Sequence, residues 1–135
     1  MTRLIDIAGR TGQTPVRSLL SAAIGSTDPG VLQPHEIRYR NDQHHVIYGL
    51  YDGDALTGLI GLARRLGSDS VEILHVALAA DAGTDAGVAL LRAALARQRC
   101  STAVWHAPGE FELIARNLGF RMSGVDGRWE LRLRE

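Results

Sequence analysis

Residues Val71–Arg97 read VEILHVALAADAGTDAGVALLRAALAR. The stretch opens on an apolar run, Val71–Leu78, interrupted only by Glu72 and His75. A run apolar on both faces predicts a central strand of a sheet. A turn of small residues follows, with glycines at Gly83 and Gly87. From about Thr84 to Arg99 the period becomes helical. Val88, Leu91 and Leu95 form a stripe widened by Leu90 and Ala94, while Arg92, Arg97 and Arg99 lie outside it. A slim turn at a helix N-terminus exposes backbone N–H groups and the positive end of the helix dipole. That arrangement suits a phosphate or pyrophosphate. Without such a ligand it is a tight strand-to-helix connection, in which Asp85 is expected to cap the helix.

Working outward, Arg3–Ala8 alternates as a first strand and Gly9–Gln13 is a loop. Thr14-Pro15 predicts a helix start with Thr14 as N-cap. The helix runs to about Ile24, with Val16, Leu19, Leu20, Ala23 and Ile24 on one face and Gly25 closing it. Pro29, Gly30 and Pro34 break Ser26–Asn41 into a loop with one short helix around His35–Arg40. His45–Tyr51 and Ala55–Arg65, joined by Asp52-Gly53-Asp54, predict a hairpin. Beyond the opening stretch, Thr102–His106 is a short buried strand. Pro108–Leu118 is a helix with Phe111, Ile114, Ala115 and Leu118 inward and Gly119 as its stop. Phe120–Gly124 and Arg128–Arg134 form a terminal hairpin across Asp126-Gly127. The order β-α-(α)-β-β-β-α-β-α-β-β predicts one mixed α/β domain over residues 1–135.

Composition narrows the function. A chain of 135 residues, 45% hydrophobic and 22% charged, builds an ordinary globular core. Net charge is zero, so nothing points to nucleic acid or an anionic membrane surface. All fifteen basic residues are arginine, which removes lysine as a catalytic amine. Cys100 stands alone and fits a reducing compartment. No signal-like segment opens the chain, and no run approaches the ~20 apolar residues of a membrane helix, so a cytoplasmic location is expected. The five histidines lack zinc-site spacing, and the adjacent His44-His45 point to opposite faces, so no metal is expected.

With these elements ordered, the chain resembles the GNAT superfamily of acyl-CoA-dependent N-acyltransferases over nearly its whole length. VIYGLYDGDALTGLIGL is similar to that family's second and third strands, with Gly58 after the turn, and VEILHVAL to its fourth. GVALLRAALAR is similar to the helix after the pyrophosphate loop, and IARNLGF to the penultimate helix. The resemblance implies a mixed, mostly antiparallel sheet of about seven strands, flanked by helices and splayed between strands 4 and 5. It also implies acetyl-CoA or another acyl-CoA as cofactor and a small-molecule or peptide amine as acceptor, attacked directly. A homodimer is the family-level expectation. Backbone groups near Val76 and Leu78 would hold the pantetheine arm. Ala82, Gly83, Thr84, Asp85, Ala86 and Gly87 would hold the pyrophosphate. The segment Ser26–Asn41 would shape the acceptor pocket.

The chain departs from the family's motifs. The pyrophosphate motif is Arg or Gln, two residues, Gly, any residue, then Gly or Ala. One alignment puts Ala82, Asp85 and Gly87 on those positions; the other puts Asp81, Thr84 and Ala86 there. Both aspartates bring negative charge toward a pyrophosphate. Counting back from Gly119, Ala115 replaces the family's acidic Tyr and Pro108 its Asn. These losses leave two other readings open: a degenerate CoA-binding or regulatory module, and a tailoring enzyme of different chemistry on the same scaffold. Glu72, His75 and His106 are the candidate acids and bases. Glu72 and His75, three apart, leave opposite faces of a regular strand, and only a bulge would bring them together. Tyr39, Tyr48, Tyr51 and Trp105 are candidates to line an acceptor pocket, with ordinary core burial the simpler role. Glu110, Glu112, Arg64 and Arg65 fit solvated positions.

Overall fold

The computed structural model describes residues 2–106, 108–124 and 127–134. Strands β1 (Thr2–Asp6), β2 (His45–Asp52), β3 (Ala55–Arg64), β4 (Ser70–Leu78), β5 (Thr102–His106), β6 (Arg121–Met122) and β7 (Arg128–Arg132) form one sheet. Its order is β1-β2-β3-β4-β5-β7-β6. Neighbours are antiparallel except β4 and β5, which are parallel. Four α-helices are present among the described residues: α1 (Thr14–Ile24), α2 (Pro29–Asn41), α3 (Thr84–Ala96) and α4 (Glu112–Leu118). A parallel pair needs a long crossover, and α3 supplies it. β4 is the middle strand, where an apolar run belongs.

Each face of the sheet buries its own core. On one, Val71, Ile73 and Val76 of β4 pack with Leu90, Leu91, Ala94 and Leu95 of α3 and with Ile114 and Ala115 of α4. On the other, Ile47, Leu59 and Ala77 meet Val16 and Leu20 of α1 and Tyr39 of α2. Each fully buried aliphatic side chain of this kind contributes about 1.5–3 kcal/mol. Gly25 (φ 85°) ends α1 and Gly53 (φ 61°) turns the β2–β3 hairpin, both in left-handed backbone that other residues adopt only with strain.

Several boundaries differ from expectation, for local reasons. Residues 29–41 are one helix, not a loop with a short helix at 35–40. Asp28 caps it by accepting from the Gly30 N–H at 2.9 Å, and Pro29 occupies the first turn, where a missing N–H costs nothing. Pro34 removes one donor, but the carbonyl that loses it, on Gly30, lies on the exposed side and is solvated. In α1 the N-cap is Gln13, so Thr14 is already helical. Gly83, not Asp85, is the N-cap of α3, which stops at Ala96. Residues 109–111 form a separate 3-10 turn ahead of α4, set off by Gly109 at φ 58°. β6 is only two residues long, and β7 ends at Arg132. Of the expected Asp126-Gly127 turn, Asp126 lies outside the described residues.

Candidate active site

The β4–β5 ladder pairs Ser70–Ile73 with Thr102–Trp105 and then stops, while β4 continues to Leu78 along β3. The two parallel strands therefore part from residue 74 onward. The Ala79 N–H donates to the Thr57 carbonyl at 2.8 Å, which sets the phase of the β3–β4 ladder. Ala77, two residues earlier, turns its backbone groups to β3. Val76 and Leu78 turn theirs to the β5 side, where the ladder has ended.

The register of β3 against β4 slips at the same place. Leu62 pairs with Ile73 and Gly61 with His75, leaving Leu74 as the extra residue of a bulge. Alternation restarts after it. Leu74 packs in the core under α1 and α2, and His75 turns to that same face to meet Tyr39. Glu72, flanked by Val71 and Ile73 on the α3 face, also points to the α1–α2 side. The bulge thus brings Glu72 and His75 to one face. On β5, Ala103 and Trp105 belong to the α3–α4 core, so His106 leaves by the face that Glu72 and His75 share. It is exposed, one residue past the last ladder pair.

The N-terminus of α3 opens beside this splay. Ala82 N–H closes a turn onto the Ala79 carbonyl at 2.9 Å, and Ala86 and Gly87 N–H both return to the Gly83 carbonyl. No side chain caps the helix. Among the described residues, the N–H groups of Gly83, Thr84 and Asp85 have no acceptor. Asp85 lies in the first turn, where its charge complements the helix dipole, and Asp81 and Asp85 are both exposed. Gly87 is buried for a packing reason: a Cβ there would collide with Ile114 of α4 and crowd Leu78.

Of the four aromatic candidates, Tyr39 alone joins the acid–base groups. Its hydroxyl lies 2.5 Å from His75 Nδ1, and the His35 ring meets His75 edge-on at 5.0 Å. Burial holds the His75 imidazole down to about 4, helped by the charges of His35, Arg38 and His45, and burial raises the Tyr39 phenol. Both are neutral at pH 7. Tyr48 and Tyr51 lie under the guanidinium groups of Arg97 and Arg10, and Trp105 packs against Phe111 and Phe120. Ala115 is fully buried in the α3–α4 core. Pro108 is buried, and Glu110, Arg64 and Arg65 are exposed, whereas half-buried Glu112 accepts a hydrogen bond from Arg116. The described residues hold no cluster of three metal-ligating side chains and no helix long and apolar enough to cross a membrane. The sequence offered one signal for the Tyr39 contact: Leu32, Glu36 and Tyr39 recur at helical spacing.

No protein-family model matches the sequence, and no curated protein matches it. Solved structures do match the fold. The IAA acetyltransferase from Bacillus cereus superposes with a TM-score of 0.73 at 18% identity, covering 98% of this chain and 100% of that one. A GNAT-family structure from Desulfovibrio desulfuricans gives 0.75 at 11% identity, covering 98% and 99%. The N-acetylglutamate synthase from Neisseria gonorrhoeae, solved with coenzyme A and N-acetyl-glutamate, gives 0.71 at 16% identity over 100% of this chain and 36% of that one. Strand order, the parallel β4–β5 pair and the two superpositions that span both chains nearly end to end together give the chain the GNAT acetyltransferase fold.

Proposed function

We propose that the chain is an acyl-CoA-dependent N-acyltransferase, with acetyl-CoA the preferred donor and a small-molecule or peptide amine the acceptor. One observation carries the reading: the free edge of β4 at Val76 and Leu78 runs toward a helix N-terminus that no side chain caps. An extended chain of amides ending in a pyrophosphate fits that pair of surfaces. Val76 and Leu78 would hold the pantetheine amides as an added strand does. The N–H groups of Gly83, Thr84 and Asp85 would hold the pyrophosphate, with Ala82, Ala86 and Gly87 shaping the turn around it. Bound acyl-CoA supplies a thioester reactive toward amines.

On the other side of the splay, the Glu72 carboxylate would take the proton released by the amine. His106, exposed at the mouth, would pass protons to and from solvent. The acceptor would enter on the face covered by α1 and α2. A cytoplasmic setting fits the free, buried thiol of Cys100.

The test is a titration of acetyl-CoA by calorimetry, followed by thiol release across an amine panel. The buried Cys100 keeps the background low. Binding with amine-dependent thiol release supports the proposal, and no binding at millimolar acetyl-CoA overturns it. Ala115, buried where the family has its acidic Tyr, favours a second reading, a CoA-binding module without turnover. Binding with no thiol release from any amine would select it.

A further inference from the structure

The contact between Tyr39 and His75 joins α2 to β4 through a hydrogen bond between side chains. Tyr39 lies on the buried face of α2 with Leu32 and Glu36. Its hydroxyl passes over Gly61 of β3, where any Cβ would collide with it, and reaches His75 Nδ1. Gly61 is the Cα partner of His75 across the β4 bulge. Glycine, bulge and tyrosine therefore combine to place one hydroxyl on one ring nitrogen.

The chemistry of the pair then fixes the proton. Tyr39 is 3% exposed, and His75 Nδ1 is its hydroxyl's partner among the described residues. A buried phenol proton without an acceptor is costly, so the phenol donates it to Nδ1. A neutral imidazole that accepts at Nδ1 carries its own proton on Nε2. Nε2 is then a donor and has no lone pair for taking a proton from an amine.

Building on the acyl-transfer reading, we propose that Tyr39 is a positioning residue that locks His75 as an Nε2–H donor, and that this N–H hydrogen-bonds the thioester carbonyl oxygen. The amine lone pair forms the C–N bond while the carbonyl π electrons move to oxygen. His75 stabilises the resulting oxyanion by a hydrogen bond and transfers no proton. The oxyanion electrons re-form the carbonyl and the C–S bond breaks, its electron pair leaving on sulfur. The ammonium proton goes to Glu72, and the thiolate takes a proton from water. Burial against the His35 and Tyr39 rings of α2, together with the charges of His35 and Arg38 of α2 and His45 of β2, keeps the ring neutral, as this role requires.

Two-bond 15N–1H correlation spectra of the full chain read the His75 tautomer directly. At pH 7 wild type should show the Nε2–H form, and Tyr39→Phe, which keeps the ring and loses the donor, should show a mixture. His75→Asn keeps an acceptor for Tyr39 but no donor at the Nε2 position. It should lower kcat about 100-fold with KM for acetyl-CoA within about twofold. His75→Gln, whose amide reaches the Nε2 position, should recover about tenfold of that loss. Tyr39→Phe should lower kcat about tenfold. An Nδ1–H tautomer in wild type, an unchanged tautomer in Tyr39→Phe, or an Asn variant as fast as wild type overturns the proposal while leaving acyl transfer intact. Failure of wild type to bind acetyl-CoA overturns acyl transfer and the donor role together.

Discussion

Acidification should weaken this fold through His75, and the size of the effect follows from its surroundings. The imidazole is held down from 6.5 to about 4, first by burial and then by the charges of His35, Arg38 and His45. Above about pH 6.5 neither the folded nor the unfolded chain protonates this ring, and it adds no pH dependence. As pH falls below that value, the unfolded chain takes up a proton that the folded chain refuses. Stability therefore declines between about pH 6.5 and 4 and levels off below. The full gap corresponds to roughly 3 kcal/mol, at 1.36 kcal/mol for each tenfold change. The ring is half-buried, and solvent screening reduces the expected loss to about 2 kcal/mol. Urea denaturation at pH 7.5, 6.5, 5.5 and 4.5 measures it, with His75→Asn as the reference because Asn keeps an acceptor for Tyr39. Other titrating groups cancel in the difference. Wild type should lose about 2 kcal/mol more than the variant, close to 1 M in urea midpoint. Parallel curves, or a wild type that resists acid better, would show that the folded chain does not exclude a proton from His75.

Other outcomes follow from packing and pairing. Gly87→Ala should cost about 1–3 kcal/mol in thermal or urea unfolding, because the new methyl meets Ile114 and Leu78. Pairing it with Ile114→Val should recover part of the loss, a non-additivity that a double-mutant cycle reads. Arg17→Ala strips the partner from the buried Glu36 carboxylate, which Arg17 contacts at 3.0 and 3.1 Å. Since Arg17 itself is half-exposed, the expected cost is about 2 kcal/mol, below that of a fully buried pair, and adding Glu36→Gln should return much of it. Acetyl-CoA at ~100 times its dissociation constant should raise stability by ~2.7 kcal/mol in a thermal-shift assay.

Periodicity and turn residues made most elements of the fold readable. The VEILHVAL run marked the central strand, and Gly25, Gly53 and Gly119 marked three boundaries that hold. Helix α2 escaped because Pro29 and Pro34 look like breakers. Only the Asp28 cap and the solvated Gly30 carbonyl show why they are tolerated. The bulge at Leu74 has no sequence mark, since Ile73, Leu74 and His75 read as one run whichever residue is extra. With it went the common face of Glu72 and His75. Tyr39 and His75 lie 36 residues apart, and no local pattern carries a contact that depends on Gly61 being bare. At the turn proposed to hold pyrophosphate the side-chain motif is degraded, yet among the described residues the N–H groups of Gly83, Thr84 and Asp85 have no acceptor.

Backbone amide spectra recorded during an acetyl-CoA titration test most directly whether the β4 edge and the α3 N-terminus form a cofactor cradle. Saturable shifts should concentrate at Val76, Leu78, Gly83, Thr84 and Asp85, with the β3-facing amides of Ala77 and Ala79 little moved. Saturation with shifts elsewhere, or no shift at millimolar acetyl-CoA, would contradict the cradle.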